Sequence, residues 1–181
     1  MYQYEYPRPA FTADVVVWQV DESASSLSLL LIERAHDPFA GCCALPGGFV
    51  DANEDLPIAA ARELAEETQL TDLRLVQLQS FGTPHRDPRG WTVTVVYQTI
   101  LPFGEQQPQP ASDARTLAWY SLDTLPDMAF DHALIIATAA RHFYVLLQAG
   151  ICTFLPQSWT KQQEKICLQA LEQFLAQQDE A

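Results

Sequence analysis

Residues 47–70, GGFVDANEDLPIAAARELAEETQL, constrain this chain more than any other stretch. A glycine pair and a turn-forming segment lead into a helical pattern over residues 53–70. Asp55 is placed to cap that helix, and Pro57 falls in its first turn, where no backbone donor is needed. At 3.6 residues per turn, Glu63, Glu66 and Glu67 share an arc of about 100°, with Arg62 at its edge. Ile58, Ala61, Leu64 and Ala65 occupy the opposite side and are expected to face the core. Ala59 and Ala60 adjoin the acidic arc, where such small side chains would leave room for hydrated ions and a phosphate chain.

Carboxylates on one helical turn repel, each like-charged i,i+4 pair costing roughly a few tenths of a kcal/mol. The cost rises beside a partly buried loop, where screening is poorer. One guanidinium cannot neutralise three anions. Divalent cations can, and hard oxygen donors select Mg2+ or Mn2+. An isolated Glu-Glu pair is ordinarily a solvated face. Here the preceding Gly47-Gly48 loop, and Glu54 set between that loop and Arg62, argue for a built site.

The 181 residues are 48% hydrophobic and 18% charged, enough apolar material for a core and too little charge for a disordered chain. Ten Lys plus Arg against 23 Asp plus Glu give a net charge of -13, a field that opposes duplex nucleic acid, so no nucleic-acid partner is expected. No run reaches the roughly 18 apolar residues of a membrane span, so no membrane partner is expected either. The opening MYQYEYPRPAFTADVVVW does not read as a signal peptide. Cys42, Cys43, Cys152 and Cys167 form no CxxC pair and have no histidine at zinc-finger spacing. A reducing, cytoplasmic location is expected.

Residues 11–20 and 27–34 are β-rich runs separated by DESASS and are expected to pair as a hairpin. A Gly- and Pro-rich loop with a strand stub at Ala44 and Leu45 follows. Strands are expected over residues 75–81, 91–101 and 117–121, with structured loops at GTPHRDPRG and residues 105–112. Residues 129–147 are apolar at helical spacing, with Gly150 as the stop. Residues 161–177 place Ile166, Ala170, Leu171, Phe174 and Leu175 on one stripe. The reading is a mixed α/β body over residues 1–126 and a helical C-terminal segment over 127–181.

The spacing Gly48, five residues, Glu54, seven residues, then Arg62-Glu63-Leu64-Ala65-Glu66-Glu67-Thr68-Gln69-Leu70 resembles the Nudix hydrolase signature GX5EX7REUXEEXGU. One position departs, Gln69 standing where the family has glycine. That position lies at the helix end, where a left-handed residue commonly stops the helix. The resemblance implies an α/β (α+β) fold, a mixed sheet sandwiched between helices, with the helical extension. It implies Mg2+ or Mn2+ ligation by Glu63, Glu66 and Glu67 with the backbone carbonyl near Gly48. Glu54 and Arg62 then hold the helix to its loop by a salt bridge.

Over residues 11–140, the segments ERAHDPFAGCCALPGGFVD, FGTPHRDPRGWTVTVVY and AFDH resemble one branch of that family. The branch holds ADP-ribose pyrophosphatase domains, some fused to nicotinamide mononucleotide adenylyltransferase, and Nudix-related transcriptional regulators of NAD metabolism. Cys43 replaces a tryptophan that many relatives carry. The branch implies hydrolysis of a nucleoside diphosphate linked to another moiety, foremost ADP-ribose to AMP and ribose 5-phosphate. Gly48, Phe49, His85, Arg86 and Arg89 are the expected substrate contacts, Arg offering a planar fork for phosphate oxygens. The base stays open among Glu66, Asp87, Glu105 and Asp113. His132 and His36 read more readily as structural groups than as catalysts. Trp18, Trp91 and Trp119 read as core candidates. A dimer is expected from the family and the spare apolar helices. Two alternatives stand beside this reading. One is a nucleotide-sensing regulator, against which only about 30 residues follow Gly150 and they carry two Lys and no Arg. The other is a pyrophosphatase for a different dinucleotide, sugar nucleotide or oxidised nucleotide.

Overall fold

The valine-rich run near the N-terminus forms the central strand, β1 (Ala10–Asp21), buried almost without interruption from Thr12 to Val20. Continuous burial of this kind marks a strand covered on both faces. The structure, a computed structural model, describes residues 5–110 and 114–179, with backbone alone at 114 and 115. Next come β2 (Ser26–Arg34), the short β3 (Cys43–Ala44) and β4 (Gly47–Phe49), then α1 (Leu56–Thr68). β5 (Val76–Phe81), β6 (Thr92–Ile100) and β7 (Ala114–Ser121) follow, and α2 (His132–Ala149) and α3 (Lys161–Asp179) close the chain.

Among the described residues seven strands make one mixed sheet in the order β3-β2-β1-β6-β5, with β4 paired to β1 and β7 to β2. β1 and β2 are the expected antiparallel hairpin, Trp18 opposite Leu29. β1 runs parallel to β6, Val15 opposite Tyr97, and antiparallel to β4, Thr12 opposite Phe49. That last pairing lays the glycine loop across the start of the central strand.

Side chains of β1 alternate between two apolar layers. Ala13, Val15 and Val17 meet Ala59, Ala60 and Leu64 of α1 on one face. Val16, Trp18 and Val20 meet Ile135, Ala139, Phe143, Leu171 and Phe174 of α2 and α3 on the other. The sheet is therefore sandwiched between helices, as anticipated. Full burial of each large apolar side chain contributes about 1.5–3 kcal/mol. No helix among the described residues is long and apolar enough to cross a membrane.

Several details differ from the sequence reading. α1 is shorter at both ends: Asp55 accepts from the Leu56 amide at its start, and Gln69 ends it with φ +61°. Its buried residues are Ala59, Ala60, Leu64 and Thr68, whereas Ile58 is 61% exposed and Ala61 is exposed. Two alanines let the helix approach the sheet closely, so they supply contact rather than room for ions. Trp18 is fully buried, but Trp91 stands 53% exposed at the foot of β6.

Candidate active site

Gly47 and Gly48 are required by close approach. A Cβ at Gly47 would stand 2.5 Å from Asp14 Oδ1, and one at Gly48 would stand 2.5 Å from the Glu63 carboxyl carbon. Gly47 also has φ +155°. Glu67, one helical turn beyond Glu63, accepts the Gly47 amide on Oε2 at 2.8 Å. Glu67 thus holds the glycine backbone by a hydrogen bond, and Glu63 packs close against it. Burial pushes the Glu63 carboxyl above its ordinary pKa, and the neighbouring Arg62 opposes that rise.

Arg62 is the hub of the helix-loop junction. Its Nε and Nη2 donate to the two Glu54 oxygens at 2.8 Å each, Nη1 to Glu63 at 2.7 Å and to Glu66 at 3.2 Å, and Nη2 to the Phe49 carbonyl at 3.1 Å. Glu54 also accepts the Asp51 amide at 2.9 Å. The Arg62 hydrogen bonds come first among the causes that hold its carboxyl down at about 2. The side chain of Glu66 is 59% exposed at the rim. Among the described residues no three acidic, His or Cys side chains converge on one point as a ready cation cage. The donors nevertheless suit a hard cation: carboxylate oxygens beside a backbone that glycine leaves bare.

The facing wall comes from the loop after β5. Arg86 donates to both Asp131 oxygens at 2.9 and 2.5 Å, tying that loop to the start of α2, and its side chain is only 5% exposed. Asp87 is buried and accepts from the Arg89 side chain at 2.7–3.1 Å and from the Arg89 amide at 2.8 Å. Burial pushes Asp87 upward, yet those hydrogen bonds prevail and hold it below its ordinary value. The Arg89 guanidinium lies 4.9 Å from the Phe49 ring and 5.0 Å from Phe130. Arg34 covers Phe130 at 4.8 Å and donates to the backbone carbonyls of Pro38 and His36.

Between these walls lies a cavity of about 60 Å3. Gly48, Phe49, Glu67, Arg86, Asp87 and Arg89 line it, while Glu63, Glu66 and His85 do not. His85 borders a separate depression with Pro84 and Trp91. Glu105 is exposed in the loop that docks on the residues after α1, Gln106 bonding Thr71 at 3.0–3.2 Å. Asp113 lies outside the described residues.

Asp14, Arg34 and Phe130 are among the cavity residues that a reading of the sequence does not assign to the site. Asp14 is 6% exposed on β1, where the Thr94 hydroxyl donates to its Oδ2. An acid set just before the Val15-Val16-Val17 run of a buried strand is the signal that could have found it. His132 is also in the wall, its Nδ1 accepting the Leu45 amide at 2.9 Å, and burial lowers its pKa. A neutral ring that accepts at Nδ1 carries its proton on Nε2.

A family model described as the NUDIX domain matches residues 9–139. The chain is 37% identical to the ADP-ribose pyrophosphatase of Methanocaldococcus jannaschii over 72% of this chain and 73% of that one. It is 39% identical to the ADPR responsive transcriptional repressor NtrR of Acinetobacter baylyi over 71% of this chain. It spans only about half of that repressor, 52%. A MutT/nudix family protein from Enterococcus faecalis superposes with a TM-score of 0.82 at 30% identity, over 95% of this chain and 77% of the other. Shewanella oneidensis NrtR complexed with a 27mer DNA superposes with a TM-score of 0.71 at 28% identity, over 94% of this chain and 82% of that one. That match overturns the expectation that nucleic acid has no place among the partners. Net charge sums the whole chain, whereas DNA contact depends on where a few cations lie. From the glycine loop to the acidic helix and the sheet that carries both, the chain belongs to the NUDIX domain family.

Proposed function

We propose that this chain hydrolyses the diphosphate bond of a nucleoside diphosphate joined to a sugar, with ADP-ribose yielding AMP and ribose 5-phosphate. One observation carries the reading: Glu67 holds the Gly47 amide on one wall, with Glu63 packed close to Gly48 behind it, while Arg34, Arg86 and Arg89 lie on or near the other. A cleft with one acidic and one cationic side is suited to a metal-neutralised diphosphate. The 37% identity to an ADP-ribose pyrophosphatase supports the substrate class.

Glu63, Glu66 and Glu67, with the carbonyl at Gly48, would hold Mg2+ or Mn2+. Such an ion supplies charge neutralisation at the diphosphate and acidifies a bound water. The protein's own groups do the positioning. Arg89, clamped between two rings and paired with Asp87, presents its guanidinium at a fixed place for phosphate oxygens. Asp87 is fully engaged by Arg89, which argues against it as the base, and Glu105 sits in the loop docked on the residues after α1, away from Arg62 and the glycine loop. Glu66, exposed and held by one 3.2 Å contact, is the candidate best placed to take a proton from attacking water. Residues 127–181 are, in this reading, a helical cover on the hydrolase body. Glu67→Gln tests the assignment, since it keeps an acceptor for the Gly47 amide but removes the charge. Mg2+-dependent turnover of ADP-ribose should fall more than about 100-fold, beyond the usual effect of outer-shell partners. Turnover near wild type would refute it.

A second reading, a nucleotide-responsive DNA-binding regulator, is favoured by the match to DNA-bound NrtR across 94% of this chain. Fluorescence anisotropy with labelled promoter DNA, with and without ADP-ribose, tests it. Retention at physiological salt that ADP-ribose alters would support it.

A further inference from the structure

We propose that the cavity reads the diol of the substrate's terminal sugar, and that Asp14 is the specificity-determining residue that accepts its hydroxyls. This rests on the diphosphate-hydrolase reading above. Asp14 lies 94% buried on the central strand, counted as the complement of its 6% exposure. Among the described residues its hydrogen-bond donor is the Thr94 hydroxyl, which serves Oδ2. Oδ1 lies alongside Gly47 in the cavity wall. A carboxyl group has acceptor capacity for several donors, and burying one with a single hydroxyl partner is costly unless further donors arrive.

The donors must suit their surroundings. Arg34, Arg86 and Arg89 line the same cavity and suit phosphate oxygens, whereas the Asp14 carboxyl is an acceptor and suits neutral hydroxyls. Carboxylate acceptance of ribose hydroxyls is a recurrent solution in nucleotide recognition. His132, neutral with its proton on Nε2, and Thr12 add polar groups to the same wall. A water needs about 10–15 Å3, so a cavity of about 60 Å3 admits a few hydroxyls and not a nucleoside, which leaves the base outside, where Phe49 is 44% exposed.

The test uses equilibrium binding in Mg2+ of two non-hydrolysable ligands, α,β-methylene ADP-ribose and α,β-methylene ADP, which keeps the adenosine ribose but lacks the terminal one. Asp14→Asn keeps the Thr94 contact and should weaken the first ligand about 30-fold, in the range for a hydrogen bond to a charged group, and the second less than about 3-fold. Equal effects on both ligands, or no effect, would overturn the proposal. So would loss of Mg2+ uptake by Asp14→Asn without nucleotide, which would make Asp14 a cation ligand. Should that variant not fold, the wild type decides. An analogue whose terminal ribose lacks its 2- and 3-hydroxyls should bind about 30-fold more weakly than the parent, and equal affinity would overturn the proposal. Wild-type protein that binds neither methylene ligand would instead refute the diphosphate reading beneath it.

Discussion

The two adjacent glycines fail in different ways. At Gly48 an added Cβ meets the end of the Glu63 side chain, which can swing aside. Gly48→Ala should therefore fold, with a melting temperature close to wild type. Its Mg2+ affinity, measured by titration calorimetry, should fall about 10- to 100-fold as Glu63 is displaced. At Gly47 the same atom meets β1 backbone at Asp14 Cα, 2.7 Å away, where nothing can swing. Gly47→Ala should cost about 1–3 kcal/mol of stability by overpacking, read as a fall in the denaturation midpoint. Glu54 makes the pH prediction at this scale. Its folded pKa of about 2 lies below the ordinary 4.5, so the stability it confers is complete above pH 4.5 and is lost as pH falls toward 2. Thermal melts between pH 5 and 2 should show Glu54→Gln declining less steeply than wild type.

At the scale of elements, α1 was the most legible part of the chain because everything that sets it is local: Asp55, Pro57 and the acidic positions lie within four turns. Its rotation was not. Which side faces the sheet depends on how close the helix can approach β1, and that is decided by Ala59 and Ala60 meeting residues more than 40 positions earlier. The cavity was legible only in part for the same reason. Gly48, Glu63 and Glu67 are neighbours through one loop and helix, whereas Asp14, Arg34 and Phe130 converge from separate strands and a turn. Gln69 was noted as the departure from the signature, and the structure shows how it is accommodated: it adopts φ +61° as the C-cap, with its amide bonded to Ala65 at 2.9 Å. A side chain in that conformation costs roughly 1–2 kcal/mol that glycine avoids. Gln69→Gly should stabilise the protein by about 1 kcal/mol, raising the melting temperature about 2–4 °C for a chain of this size. No gain would mean that Gln69 makes compensating contacts.

Across the whole molecule, the two faces of the sheet carry different duties. The α1 face ends in the glycine loop and holds the acidic wall. The opposite face is covered by α2 and α3, yet it reaches the cavity too, because α2 begins at His132 and follows Asp131, the partner of Arg86. Packing beneath the C-terminal helices therefore bears on the position of the cationic wall. Phe143 is the test of that continuity. It is fully buried in α2, with its ring 5.5 Å from Trp18 of β1 and 5.1 Å from Phe154 in the α2-α3 connection. If sheet and helices share one cooperative core, Phe143→Ala should cost about 3–5 kcal/mol. Tryptophan fluorescence and far-ultraviolet circular dichroism should then follow a single coincident transition in denaturant for variant and wild type alike. Two separated transitions, with the helical signal lost first and hydrolysis retained, would show that the helices fold as an independent cover and that the Arg86 wall stands without them.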